Sequence, residues 1–75
     1  MYTPSEADAK KLENNFVYHA PKGDQAERYI AIRGKAKELA LLVSELCPAS
    51  RELSLGLTNL EQATFWFNAS IARNE

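Results

Sequence analysis

The sequence predicts an all-α fold, in which a short N-terminal helix precedes a long antiparallel helical hairpin that assembles as a homo-oligomer. Apolar residues recur at steps of three and four over two long segments, as on one face of a helix. Capping residues precede each predicted helix, and the link around Pro48 is only a few residues long. At 75 residues the chain makes a single domain, 1–75.

The first helix is predicted over residues 4–13. Thr3 is a favoured N-cap, Pro4 suits the first helical position, and Glu6 completes a capping box. Its apolar residues are few, so we expect it to dock on the other two helices rather than to stand alone. These residues are Ala7, Ala9 and Leu12.

The second helix is predicted over residues 25–46. Asp24 is the expected N-cap, with Glu27 three residues later in capping-box spacing. Pro48 ends the helix, because proline disfavours helical geometry at the preceding residue. The apolar stripe follows a heptad pattern: Tyr29, Ile32, Ala36, Leu39, Val43 and Leu46.

The third helix is predicted over residues 50–72, with Ser50 as its N-cap. Because the connection is short, the second and third helices must be antiparallel neighbours whose stripes pack together. The stripe of the third helix again follows heptad spacing: Leu53, Leu57, Leu60, Thr64, Phe67 and Ile71.

Several apolar side chains fall outside this seam, and the first helix is too polar to cover them all. They are Ile30, Leu41, Leu42, Phe65 and Trp66. A chain this small has a marginal core, and with one cysteine, Cys47, it cannot form an internal disulfide. Large apolar patches on a small chain mark interfaces, so we expect homo-oligomerisation.

Composition restricts the classes of partner. Nine Lys and Arg stand against ten Asp and Glu, a net charge of −1. Nucleic-acid polymers are bound through excess positive charge, which is missing here, whereas a small phosphorylated ligand needs only a few local cations. We expect no metal, no cofactor and no membrane contact. The free cysteine and the absence of an export signal suggest the cytoplasm.

The segment 16–33 offers the clearest binding chemistry. Tyr18, His19, Lys22, Arg28 and Arg33 lie on a loop stiffened by proline and on the helix after it. Aromatic rings stack on bases, and guanidinium and ammonium groups pair with phosphates. The pattern therefore indicates an anionic, aromatic ligand.

Each of these residues also has a structural interpretation. Phe16 reads better as a core anchor, and Tyr18 is as compatible with the core as with a ligand. Arg28 and Arg33 on charge pattern alone read as solvated side chains paired with a carboxylate such as Asp24. Glycine within a helix is unfavourable, so Gly34, beside Arg33, indicates that another helix or a ligand approaches the backbone closely at this position.

No constellation of catalytic residues accompanies the cluster. His19 has no Ser or Cys nucleophile arranged around it, so its use in hydrogen bonding is favoured. Cys47 reads as a small apolar residue. Asn68 suits a polar contact across helices, and Arg73 complements the helix dipole near the end of the third helix. Enzyme activity is not expected.

Taken together, several ordered segments resemble a phage protein family. They are 16–22, Arg28-Tyr29 with Ile32-Arg33, 46–52, 59–61 and 66–74. The chain resembles the small anti-CBASS proteins that act as cyclic-oligonucleotide sponges, whose helical hairpin domain also occurs in phage anti-Thoeris sponges. The resemblance covers about residues 14–74.

The resemblance implies a protein that sequesters cyclic di- and trinucleotides, such as cyclic GMP-AMP, without cleaving them, so that CBASS effectors in the host bacterial cytoplasm stay inactive. It implies a homohexamer with dinucleotide pockets between pairs of protomers. There a Tyr stacks on a base and a cation fifteen residues later holds phosphate, a spacing that Tyr18 and Arg33 share. Asn68 and Arg73 are candidates for a separate trinucleotide site.

Two other functions stay open at this point. The chain could be a helical oligomerisation or protein-interaction module without a nucleotide ligand, acting through Leu41 and Leu42 or through Phe65 and Trp66. A phosphodiesterase ranks third. Binding of a cyclic nucleotide that is returned intact would separate the sponge from both.

Overall fold

A computed structural model describes all 75 residues, which form three α-helices and no strand. Helix α1 is Glu6–Asn15, α2 is Gln25–Leu46 and α3 is Arg51–Asn74. Extensive contact between helices is confined to α2 and α3, which form the predicted hairpin. Neither these helices nor α1 combines the length and apolar character needed to cross a membrane.

Helix α1 begins two residues later than the sequence pattern predicts. Ser5, rather than Thr3, is the N-cap, and its hydroxyl oxygen accepts a hydrogen bond from the backbone N–H of Asp8 at 3.1 Å. No residue of α1 is buried, so the prediction that it covers part of the hairpin is wrong within one chain. Its apolar side chains, Ala7, Ala9 and Leu12, offer too little area to hold the helix against the hairpin.

Helix α2 has the predicted bounds but a different start. Asp24 occupies the N-cap position without making a side-chain cap, and its φ of −90° and ψ of 10° lie outside the extended geometry of a capping residue. Its carboxylate instead accepts a hydrogen bond from Arg28 Nε at 3.2 Å. The predicted capping role of Asp24 is therefore wrong.

Helix α3 is capped as predicted. The Ser50 hydroxyl oxygen accepts a hydrogen bond from the backbone N–H of Leu53 at 3.1 Å. Most predicted seam positions of both helices are half-buried. The exceptions, which stay exposed, are Leu39, Leu46 and Phe67. The seam therefore closes along most of the hairpin but is not wide enough to cover its edges.

A single chain lacks a hydrophobic core. Gln25 is the one fully buried residue, at 4% exposure, and no apolar side chain is fully buried. The accessible surface is 6383 Å², whereas a compact protein of 8.4 kDa exposes about 4,600 Å². The radius of gyration is 16.7 Å against about 11 Å for a compact chain of this length. The apolar edges of the hairpin are left without a partner.

The molecule is also flat, with extents of 49 × 38 × 13 Å. One helix with its side chains is about 10–12 Å across, so the shortest dimension corresponds to one layer of helices. Stable domains bury their apolar faces between two or more layers. This chain supplies only one such layer, so its apolar faces are not covered within it.

Candidate functional site

The loop between α1 and α2 places its side chains beside the open end of the hairpin. Helix α1 ends where the backbone N–H of Phe16 donates to the carbonyl oxygens of Leu12 and Glu13. Pro21 then restricts the backbone, and Gly23 turns the chain into α2 with a φ of 57°, a left-handed conformation that glycine adopts without strain. The loop is therefore short and conformationally restricted.

A groove of about 550 Å³ runs between this loop and the two long helices. Five of the seven predicted ligand-binding residues line it: Tyr18, His19, Arg33, Asn68 and Arg73. The remaining wall is formed by Asn15, Val17, Tyr29, Phe65, Ala69 and Ala72. Residues that are about fifty positions apart in sequence thus meet at one place, although their role in binding stays a prediction.

The aromatic groups of the groove differ in accessibility. Tyr18 is 83% exposed, so its ring is free to stack on an incoming base. Tyr29 is half-buried in the seam and contributes to the wall of the groove. Phe16, for which the sequence favoured a core position, is 85% exposed and anchors nothing within the chain. The loop runs along the rim of a single layer of helices, so no apolar layer faces the Phe16 ring.

The two arginines of the groove are held differently. The Arg33 guanidinium makes no hydrogen bond or ion pair within the chain, contrary to the carboxylate pairing that charge pattern alone favoured. Arg73 is partly engaged: its Nη2 lies 3.5 Å from the Asn15 carbonyl oxygen, and its Cζ lies 5.8 Å from the centroid of the Trp66 ring. Of the two, Arg33 is the guanidinium that is free to pair with an anion.

His19 and Asn68 supply the polar groups of the groove. One ring nitrogen of His19, Nε2, lies 2.8 Å from the Asn14 carbonyl oxygen, so this nitrogen is the protonated donor. The Asn68 side-chain oxygen is buried without a hydrogen-bond partner. A buried polar oxygen without a partner is costly, so Asn68 has an unmet acceptor beside the groove.

Lys22 and Arg28, the other two predicted ligand-binding residues, do not line the groove. Lys22 Nζ donates to the main-chain oxygen of Glu75 at 3.1 Å. Arg28 donates through both terminal nitrogens to the Glu75 carboxylate, with its Nη1 at 2.7 Å from Oε2. This bidentate hydrogen bond, together with one from Gln25, lowers the pKa of Glu75 to about 2. The hydrogen bonds to Glu75, with the nearby charge of Asp24, raise the pKa of Arg28.

Sequence reasoning missed several residues that shape this site. Ala69 and Ala72 line the groove on α3. Their small side chains, close to Asn68 in the sequence, are a signal from which the groove could have been predicted. Glu75 gave no comparable signal, because its partners lie about fifty residues earlier. No group of three or more potential metal ligands occurs in the chain.

Comparison with protein families supplies the decisive observation. The family model described as Acb2/Tad1, hairpin domain, matches residues 8–72. The chain belongs to this family. The Acb2/Tad1 hairpin family comprises anti-CBASS and anti-Thoeris sponges, so the resemblance inferred from the sequence is confirmed. The match spans most of α1, the loop that carries Tyr18, all of α2 and most of α3.

The Acb2/Tad1 hairpin family is one of binding domains, known for sponge-like capture of cyclic nucleotides rather than for an enzymatic reaction. No curated protein and no solved structure matches the chain. The family assignment therefore rests on the family model together with the helical hairpin itself.

Proposed function

We propose that this protein is a phage immune-evasion sponge that binds cyclic di- and trinucleotides and holds them intact, which blocks activation of CBASS effectors in the bacterial host cytoplasm. The observation that supports this most strongly is the groove that gathers the exposed Tyr18 ring, the unpaired Arg33 guanidinium and Arg73. It offers stacking and anion pairing together, which is what a cyclic nucleotide requires.

The size and charge of the groove suit such a ligand. Its volume of about 550 Å³ falls within the range of small-molecule sites, about 300–1,000 Å³. Two arginines and no carboxylate line it, so it is locally cationic although the whole chain carries a net charge of −1. This distribution favours a compact dianion over a long polyanion.

A second copy of the chain completes the proposed site. The single layer of helices and the excess surface of about 1,800 Å² over a compact protein leave apolar edges that self-association would bury. In a two-fold pair each side chain appears twice, so two Tyr18 rings and two Arg33 groups would meet the two bases and two phosphates of a cyclic dinucleotide. A hexamer contains such pairs, and we propose that state.

Capture without cleavage fits the chemistry of the groove. His19, its one imidazole, already hydrogen-bonds the Asn14 carbonyl, and no Ser or Cys side chain lines the groove to act as a nucleophile. For cyclic trinucleotides we propose Asn68 and Arg73 as contacts, within the groove that also holds Tyr18 and Arg33 rather than in a separate pocket. The support is the unmet acceptor of Asn68 and the adjacent guanidinium.

Calorimetric titration with a panel of cyclic nucleotides tests the proposal. The panel is cyclic GMP-AMP, cyclic di-GMP and a cyclic trinucleotide, with linear GMP-AMP as the matched control. The proposal predicts tight binding of at least one cyclic ligand and much weaker binding of the linear one, whose phosphates are not preorganised. Absence of heat with every cyclic ligand would leave the protein-interaction module, supported by exposed Leu41 and Leu42, as the better explanation.

A further inference from the structure

Arg73, in the last turn of α3, and Glu75, the residue after this helix, hold both ends of the loop that carries Tyr18. At the beginning of the loop, Asn14 Nδ2 donates to the carbonyl oxygen of Arg73 at 3.0 Å. At the other end, the Gln25 side-chain amide donates to Glu75 Oε1 at 3.2 Å, and Lys22 Nζ reaches the main-chain oxygen of Glu75. Asn14 and Gln25, which flank residues 16–24, and Lys22 within them are thus tied to residues 73 and 75 at the end of α3.

Gln25 connects the backbone of the loop to Glu75. Its side-chain oxygen accepts a hydrogen bond from the Lys22 backbone N–H at 3.1 Å, while its side-chain nitrogen donates to Glu75. It is the most buried residue of the chain. A buried amide whose two ends are both satisfied is costly to disturb, because loss of one partner leaves a buried polar group unpaired.

Glu75 is itself held by Arg28. The bidentate pairing fixes both carboxylate oxygens, and Oε1 is shared with Gln25. Asp24 pairs with Arg28 Nε at 3.2 Å and so orients the guanidinium. The side chains of Arg28 and Glu75 are each 39% exposed, so the contact is open to screening by salt.

We propose that Glu75 is a positioning residue, whose carboxylate, with Arg28 and Gln25, clamps the loop 16–24 in the conformation that presents Tyr18 and His19 to the groove. The clamp touches no ligand. It acts by ordering the loop before a ligand arrives, which reduces the entropy lost on binding. The part that concerns affinity rests on the proposed function, whereas the ordering of the loop does not.

The Lys22 backbone amide is a direct reporter of the clamp, because its hydrogen-bond acceptor is Gln25 Oε1. The experiment is residue-resolved amide hydrogen exchange on the intact, unliganded protein, comparing wild type with Glu75→Gln. Glu45→Gln is the matched control, since Glu45 is an exposed carboxylate on α2 without a side-chain partner and its loss changes the net charge equally.

We expect exchange at Lys22 and its loop neighbours to rise by about threefold to tenfold in Glu75→Gln, the size expected for loss of hydrogen bonds to a charged group that is partly exposed. Exchange along the middle of α2 and α3 should not change, and Glu45→Gln should match wild type. In wild type alone, raising the salt to about 1 M, where the Debye length is about 3 Å, should move loop exchange toward that of the variant.

The affinity of the same three proteins for cyclic GMP-AMP supplies the second readout. We expect affinity to fall by about threefold to tenfold in Glu75→Gln and to stay at the wild-type value in Glu45→Gln. Unchanged loop exchange in that variant overturns the clamp, and so does faster exchange along all of α2 and α3. If the loop is loosened but affinity is equal to wild type, Glu75 does not position the site. If wild type binds neither cyclic GMP-AMP nor any other cyclic nucleotide of the panel, the proposed function fails and loop exchange alone decides whether the clamp exists.

Discussion

Replacing Arg33 by glutamine separates ligand binding from folding more cleanly than any other single change in the groove. The Arg33 guanidinium makes no hydrogen bond or ion pair in the unliganded chain, so its removal breaks nothing that holds the hairpin together. Exposed side chains without partners change stability by less than about 0.5 kcal/mol when substituted. The melting temperature of Arg33→Gln should therefore stay within a few degrees of wild type.

The expected loss of affinity follows from the charge that Arg33 contributes. Hydrogen bonds to charged groups contribute about 1.5–3 kcal/mol, and the open groove argues for the lower end of that range. At about 1.4 kcal/mol per factor of ten, each guanidinium then accounts for about tenfold in the dissociation constant. If two protomers share one cyclic dinucleotide, both arginines are lost together and the expected loss is about 100-fold.

Isothermal titration calorimetry with cyclic GMP-AMP measures this loss, with Arg51→Gln as the matched control. Arg51 is an exposed arginine at the start of α3, at the far end of the hairpin and without a side-chain partner, so its loss changes the net charge equally without touching the groove. Arg33→Lys should retain binding at an intermediate level, because it keeps the charge and loses the planar fork. An Arg33→Gln dissociation constant within twofold of wild type would refute the assignment of Arg33 to the phosphate.

Three further outcomes follow from the same structure. Tyr18→Ala should weaken cyclic-dinucleotide binding by the loss of stacking, about 1–3 kcal/mol per base, while Tyr18→Phe should retain it; equal loss in both would point to the hydroxyl instead. The Glu75 side-chain carboxyl should titrate near pH 2 by NMR and move toward 4.5 in Arg28→Gln. Because the pKa of Glu75 is lowered in the folded state, the pairing with Arg28 contributes fully to stability above about pH 4.5, and this contribution is lost as the pH falls toward 2. An unshifted pKa of Glu75 would contradict the pairing. Phe67→Glu should weaken self-association at least about tenfold by light scattering, since it places a charge on an exposed apolar edge; unchanged mass would exclude that edge from the interface.

Much of the hairpin was predictable from local pattern. Helix α2 has the predicted bounds, and the Ser50 cap and Pro48 mark the turn where the structure has it. The four-residue link also determines which positions lie level across the hairpin. Because α2 ends at Leu46 and α3 begins at Arg51, residues whose numbers sum to about 97 are neighbours, which places Asn68 beside Tyr29.

The convergence of the loop on the end of α3 was less accessible from the sequence. Lys22 and Arg28 share the cationic character of Arg33, and charge pattern alone does not separate a ligand contact from a structural ion pair. Their partner, Glu75, comes about fifty residues later, and which cations it pairs with depends on side-chain geometry. Asp24 likewise has the right residue type for a cap, but the backbone turns it toward Arg28 instead.

Phe16 was misjudged for a different reason. Apolar character predicts burial, but it does not say whether the covering atoms belong to the same chain. In a single layer of helices the ring has no opposing layer, so it is exposed. The expected docking of α1 was wrong on the same grounds, because one chain does not supply a second layer.

Recovery of the bound ligand tests whether the protein captures a cyclic nucleotide without cleaving it. Wild-type protein is saturated with cyclic GMP-AMP, separated from free ligand on a sizing column and denatured by heat, and the released nucleotide is identified by mass spectrometry. A sponge should carry cyclic GMP-AMP through the column with the protein and release it with its mass unchanged and its ring closed. Release of a linear or hydrolysed nucleotide, or passage of all the ligand in the unbound fraction, would contradict it.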